Sequence, residues 1–422
     1  MKFKQFKNIS LVLSALMVFG FASCKKMNSL GFTPGTGTPV ISSVRTLSKS
    51  IVDSMRVHST TTYNSSGIAT TTSYFDYTPQ ATAFDSTTVT GNLNNYYVLI
   101  GANLGSTTKI AINGVSVYFN RAFNSDKSVV FQIPTTVPYV QPQPNTIVVT
   151  TLNGSFTYKF TTLPPPPTIT GVSDYDFQAG TQITLTGKGF ASVSGIKLKA
   201  TSDEVSIVSQ NDSTLVMKMP AHSTATESTL LFTYTSGSNP AAQTASTTVF
   251  NDLDNGYIIF ADNNFQNAWG DNSWAGPSGV STTASHSGTA SAAASYPAGQ
   301  WKVEGWANWY PSFSYDAAYK YLTFWVKGGT VTHTLVLVGD KMAGGYGQIQ
   351  NVSAYAAQLV TVPPNVWTFF KIPLASSQSS TNVNTLNYWA NGSPAQQLGF
   401  FLQGMSGDVD EKMFFDEVAF IK

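Results

Sequence analysis

The sequence predicts an all-β protein built of consecutive β-sandwiches, and three observations carry that reading. Only 11% of the 422 residues are charged while 13% are aromatic, against about 25% charged in an ordinary soluble chain. Ser, Thr, Asn and Gly make up the difference, and Thr, Tyr, Phe and Val suit half-buried strands better than helices. Short apolar runs bounded by turn residues recur, as in IVVTTLNGSFTYKF (147–160) and YKYLTFWVKGG (319–329). Finally, the chain repeats itself: Pro39-Val-Ile-Ser-Ser-Val44 matches Pro167-Thr-Ile-Thr-Gly-Val172, and 33 positions separate both Gly101 from Pro134 and Gly187 from Pro220. Two matched anchors at one spacing mark a tandem unit.

At the start, Lys2, Lys4 and Lys7 precede fourteen uncharged residues, ISLVLSALMVFGFA (9–22). Such a run is short for a bilayer span and right for a signal-peptide core. Cys24 is the single cysteine, which rules out an internal disulfide framework. FASC at 21–24 resembles the lipobox of bacterial lipoproteins, whose cysteine is acylated; an ordinary cleaved signal beside a stray cysteine is the alternative. The divisions that follow are a leader over 1–23 and a Gly/Pro/Thr tether over 24–38.

Residues 39–165 and 166–250 are the two repeated units, each predicted as an immunoglobulin-like sandwich from its short, regularly punctuated strands. The first holds about 42 more residues between its anchors, read as a hairpin around Asn64-Ser-Ser-Gly67. Another hairpin is expected at 147–160, with Asn153-Gly154 in the tight turn. Four prolines at 164–167 form a stiff spacer between the units. Neither unit contains tryptophan; all eight lie in 251–422, predicted to be a further β-sandwich. There 319–329 reads as a strand ending in a Gly-Gly turn, with 332–340 as its neighbour.

Catalytic signatures are missing from the sequence. His58, His222, His286 and His333 are scattered singly and read as surface residues, with no zinc, nucleophile-elbow or phosphate-loop motif around them. Glu304 is the one acid inside the aromatic stretch WKVEGWANWYPSF (301–313). A glycosidase would pair it with a second carboxylate across a cleft, for which Asp271, Asp316 and Asp340 are candidates. Hydrogen bonding to a sugar hydroxyl, or a place at a strand edge, is the plainer role. Residues 251–422 carry seven lysines and no arginine against twelve acids, a formal net of −5. That balance excludes nucleic acid, which needs phosphate-neutralising cations, and disfavours acidic glycans.

The segments IIFADNNFQNAWGDNSW, SHSGTAS, YLTFWVKGG, VWTFFKIPL and FFDEVAFI follow one another as in jelly-roll carbohydrate-binding domains. The Gly-rich G-x-x-(L/F)-G stretch with its leading P-x-I-x-x-V and later (I/M)-P resembles the IPT/TIG family of immunoglobulin-like domains. The whole layout is similar to surface glycan-binding lipoproteins of bacterial polysaccharide-utilisation systems. This resemblance implies a non-catalytic protein, lipid-anchored at Cys24 on the outer membrane and facing outward. It would bind a neutral polysaccharide beside a glycan importer and companion lipoproteins. Lys25-Lys26 stand where many surface-exported lipoproteins carry acids. No cofactor is required; a structural calcium at Asp262 and Asp416 is implied by the resemblance alone. A glycoside hydrolase or lyase, or an adhesin, are the alternatives.

Pyranose rings present an apolar C–H face that flat indoles cover at little entropic cost. The predicted glycan-binding residues are therefore Trp269, Trp274, Trp301, Glu304, Trp306, Trp309 and Trp389. Trp325 and Trp367 are expected in the core. Strict alternation sets Trp301 and Trp309 on the face opposite Trp306 and Tyr310, unless Gly305 forms a bulge.

Overall fold

The computed structural model describes residues 33–422 except 52–56, 64–68, 76–79, 238, 275, 343–344, 347–355, 379–381 and 405–406. The leader and Cys24 lie outside the described residues. Strands dominate throughout, joined by short 3-10 turns such as Arg121–Phe123 and Leu253–Asn255. Two units are present: the chain up to Pro165 with Ser236–Asn239, and Pro166–Thr235 with Pro240–Lys422.

In the first unit, one four-stranded sheet contains Val40–Thr46, Tyr96–Ala102 and Ser128–Gln132. A second contains Thr107–Ile112, Val115–Val117, Thr146–Thr151 and Gly154–Lys159. Alternate residues point inward, so Val44, Leu99, Ile110, Phe131, Val149 and Phe160 meet in one core. The additional residues form a ribbon, with Ser48–Ile51 paired to Gln80–Ala83 and Val57–Tyr63 paired to Ala69–Phe75. The predicted turn at 64–67 lies outside the described residues. In the other hairpin Thr151 pairs with Gly154, so the loop is Leu152-Asn153, one residue earlier than expected. Gly154 is instead the first residue of the return strand, at φ 124°.

The second unit repeats this sandwich and then adds a larger one. Gln182–Lys188 lies between Thr168–Val172 and Thr214–Lys218 in one layer, and Val193–Leu198 pairs with Leu230–Ser236 in the other. Glu204–Gln210 begins beside Val193–Leu198 and continues beside Thr214–Lys218, joining the two layers. The sequence repeat has a physical basis in both copies. Gly101 stands across from Ile41 and Gly187 across from Ile169, each next to a one-residue slip of the ladder. A β-carbon at either glycine would lie 1.9 Å from a carbonyl oxygen, of Val40 or of Thr168. Only glycine tolerates so close a backbone approach.

Beyond Phe250–Asp252, which still pairs with the second module, the chain forms a sandwich of a seven-stranded and a five-stranded sheet. The seven-stranded sheet centres on Glu411–Ile421, which pairs with Tyr257–Ala261, Ser291–Tyr296 and Tyr321–Lys327. In the five-stranded sheet Gln397–Gln403 lies between Trp301–Ala307 and His333–Val338. The expected pairing of 319–329 with 332–340 is not formed: Tyr321–Lys327 pairs with Trp367–Pro373, and the Gly-Gly segment crosses between sheets. Gly329 lies over the Glu411 carboxylate, where a β-carbon would come within 2.0 Å of Oε2. That carboxylate accepts the amides of Thr330 and Val331 at 2.5 and 3.1 Å and faces His333 Nε2 at 3.2 Å, which fixes the crossover.

The core between the sheets holds Trp306, Phe324, Phe400, Phe415, Phe420 and Tyr388. The outer face of the seven-stranded sheet is covered by the second module. Tyr175 stacks on Phe369 at 5.0 Å and on Trp325 at 6.0 Å, and Lys371 Nζ reaches Glu227 and Asn251 at 2.7 Å. Trp325 is thus buried as expected, but between the modules rather than between the sheets. Trp367 is half-buried, edge-on to His286 at 5.7 Å.

Candidate functional site

The outer face of the five-stranded sheet is only partly open to solvent, since Val303, Val338 and Phe401 on it are buried and Tyr346 packs against them. The pleat decides what it displays. Lys302, Glu304 and Trp306 are all buried, with Trp306 in the core between the sheets, whereas Trp301 points outward and is 51% exposed. Trp274 forms a bridge with Val303, through N–H···O contacts of 3.2 and 3.3 Å in both directions. Residues paired this way share a sheet face, so Trp274, 40% exposed, flanks Val303 on the side that carries Trp301. Diagonal neighbours of this kind lie about 7–8 Å apart. Trp301 meets the edge of Phe401 at 5.9 Å and 87°.

Behind these rings is a small apolar cluster of Val303, Val336, Val338 and Phe401, with Tyr346 packed against it. Gly305 pairs with Gly399 in an unbroken register, so the expected bulge is not formed. The two glycines instead make a trough for Tyr346: a β-carbon on Gly305 would fall 1.5 Å from its hydroxyl oxygen, and one on Gly399 3.1 Å from its ring. The Tyr346 hydroxyl donates to the Asn272 carbonyl at 3.2 Å, tying the ring to the segment that holds Trp274. At the far end of the strand, Trp309 is 59% and Tyr310 88% exposed. A strand rises about 3.3 Å per residue, so the ends of Trp301–Ala307 are about 20 Å apart.

Four of the predicted contact residues are corrected by burial. Trp306 is fully enclosed by Phe265, Phe400 and Phe415. Trp269 is buried with its indole N–H donating to Tyr257 Oη at 3.2 Å, and Trp389 with its own donating to the Phe313 carbonyl at 3.1 Å. Loop position misled in both cases, because these indoles fill the ends of the core and find their polar partners there. Glu304 is wholly buried, accepts the Trp306 indole N–H at 3.2 Å and the Ser273 hydroxyl at 2.9 Å, and does not reach solvent. Burial raises its carboxyl to about 8, so at neutral pH it is largely a neutral acid that braces the segment leading into Trp274.

Tyr346, Phe401 and Tyr310 were missed. A tyrosine inside the Gly-rich GGYGQ segment was a usable signal for the first; nothing local marks Phe401, whose place depends on pairing with a distant strand. The histidines are not uniformly at the surface. His222 is, but His286 and His333 are half-buried beside Glu417 and Glu411. Asp262 and Asp416, the two acids named for calcium, lie in different settings. Asp416 accepts the amides of His286, Ser287 and Glu417 at 2.8, 3.2 and 3.0 Å, using oxygens that a hard cation would need. Asp262 stands exposed at φ 48°.

Residues 167–265 match the model of the IPT/TIG domain family. The match covers the second module and runs past its last strand into Tyr257–Ala261, the opening strand of the terminal sandwich. A curated relative from Bacteroides ovatus, named as an IPT/TIG domain-containing protein, is 32% identical over 118 residues, or 27% of this chain. The matched stretch spans 24% of that relative's length. Among solved structures, the surface glycan-binding protein PbSGBP-B from Prevotella bryantii is 15% identical. It aligns over 92% of this chain and 99% of its own at a TM-score of 0.49. SGBP-B from a complex xyloglucan utilization locus in Bacteroides uniformis is 16% identical over 78% of this chain and 96% of its own, at 0.39. A family 11 carbohydrate-binding module from Clostridium thermocellum is 14% identical over 39% of this chain and 95% of its own, at 0.26.

Proposed function

We propose that this protein is a non-catalytic, lipid-anchored binder of a neutral polysaccharide, held at the cell surface with the terminal sandwich as its grip. The observation that carries the reading is the outward face of the five-stranded sheet, where Trp274 and Trp301 stand side by side in solvent over a packed apolar base. Exposed aromatic faces are unfavourable in water and mark interaction surfaces. Trp309 and Tyr310 extend the aromatic surface at the strand's other end. Glu304, the acid inside the aromatic stretch, faces inward and is wholly buried. A terminal domain with more acids than lysines favours an uncharged ligand.

Cys24 would carry the lipid, and the tandem immunoglobulin-like modules would act as spacers before the grip, beside an outer-membrane importer. The test is affinity electrophoresis of the soluble chain in gels cast with neutral polysaccharides, xyloglucan and mixed-linkage β-glucan among them. Retardation by at least one, with no release of reducing ends on long incubation, is expected. Unretarded migration in every gel, or turnover of any glycan, refutes the reading.

A further inference from the structure

The junction between the second module and the terminal sandwich contains a group that glycan binding does not use. His286 lies flat on Trp325, ring centroids 3.8 Å apart, and the Trp325 indole N–H donates to Asp174 Oδ1 at 3.3 Å. The other ring nitrogen contacts fix the imidazole. Its Nε2 is 3.1 Å from the Ser173 carbonyl oxygen, which can only accept, so Nε2 carries the hydrogen. In a neutral imidazole Nδ1 is then an acceptor. Yet Nδ1 faces Glu417 Oε2 at 2.9 Å and Asp174 Oδ2 at 3.9 Å. Three acceptor atoms therefore converge on one point.

Two protons, one on Nδ1 and one shared by the two carboxyl groups, or a single metal cation would satisfy all three. The Asp174, His286 and Glu417 donor atoms lie within 4.8 Å of one another. Ligands 2.0–2.2 Å from a tetrahedral zinc are separated by roughly 3.4 Å, a value that the two distances to Nδ1 bracket. Ser287 lines the same cavity of about 310 Å³ as the triad and Asp262, room for water as a fourth ligand. A ligating histidine that donates its second N–H to a backbone carbonyl is the usual supporting arrangement at such sites. One imidazole with two carboxylates suits a first-row transition metal better than calcium or magnesium.

We propose that Asp174, His286 and Glu417 bind one divalent transition-metal ion that clips the second module to the terminal sandwich. Asp174 comes from the module, His286 and Glu417 from the sandwich, so the ion would hold their relative orientation.

Zn²⁺ is the probe. The full soluble chain, stripped with chelator, is titrated by calorimetry and melted with and without the metal. One Zn²⁺ per chain and a higher melting temperature are expected. Asp174→Asn keeps an oxygen for the Trp325 indole but removes a charged ligand, and it should weaken Zn²⁺ binding at least tenfold without lowering the melting temperature of the metal-free chain. His286→Gln should weaken binding similarly, which keeps the proposal open to refutation if either variant folds poorly. Binding equally tight in both variants overturns it, as does weak, unsaturable uptake typical of adventitious ions on surface carboxylates.

Discussion

Trp301 and Trp306 sit five positions apart on one strand, and the pleat sends the first into solvent and the second into the core. The two should therefore fail differently when truncated. Trp301→Ala and Trp274→Ala are expected to weaken glycan binding by about 2 kcal/mol each, more than tenfold, with thermal melts close to the parent. Trp306→Ala should cost about 3–5 kcal/mol of stability, seen as a lowered denaturant midpoint. Glu304 gives a pH test. Its carboxyl, ordinarily near 4.5, is raised by burial to about 8, so between those values the folded state holds a proton that the unfolded chain has released. This group thus lowers stability as pH rises from about 5 to about 8, by up to about 1.4 kcal/mol per pH unit; below that window it has no effect, and above it the accumulated loss persists without growing further. Glu304→Gln should flatten that part of the curve, checked by urea melts at pH 5, 6.5 and 8. Burial was the quantity least legible at this scale. Trp269 lies among Asn, Gln and Gly in sequence and still lies inside, because its neighbours in space come from elsewhere in the chain.

At the scale of the element, the strands of the three sandwiches could be read from alternation and turn residues, and the anchors of the repeat marked equivalent ladder positions. Pairing was less accessible. Tyr321–Lys327 and His333–Val338 are consecutive in sequence, and a Gly-Gly turn between them suggested a hairpin, but Glu411 from a distant strand captures the connecting segment and directs it to the other sheet. Gly305 shows the same limit. Alone it suggests a bulge; opposite Gly399 it makes room for a ring. Gly305→Ala should accordingly cost about 1–3 kcal/mol through overpacking against Tyr346 and much less in a Tyr346→Gly background. A double-mutant cycle read by chemical denaturation measures that coupling, and additive costs would mean that the ring does not occupy the trough.

For the whole molecule, the relevant fragment is not the tryptophan-rich segment alone. Residues 251–422 contain every tryptophan, but their seven-stranded sheet relies on the second module to cover Trp325 and Phe369. A fragment of 166–422 is expected to bind glycan like the full soluble chain, and one of 251–422 to melt at a lower temperature and bind a hydrophobic dye. Equal melting temperatures would show that the covered face contributes little.

The sequence by itself determined the all-β class, the tandem repeat with its longer first copy, and the concentration of aromatics in the terminal sandwich. These follow from composition, period and spacing, which are local properties of the chain. Only the tertiary structure decided which tryptophans face water, that Glu304 is an internal brace, and that His286 meets Asp174 and Glu417. A strand's pleat fixes that neighbouring side chains point to opposite faces, but which face is wet depends on what packs against it. Those partners lie more than a hundred residues away, as Asp174 does from His286, and no local pattern encodes them.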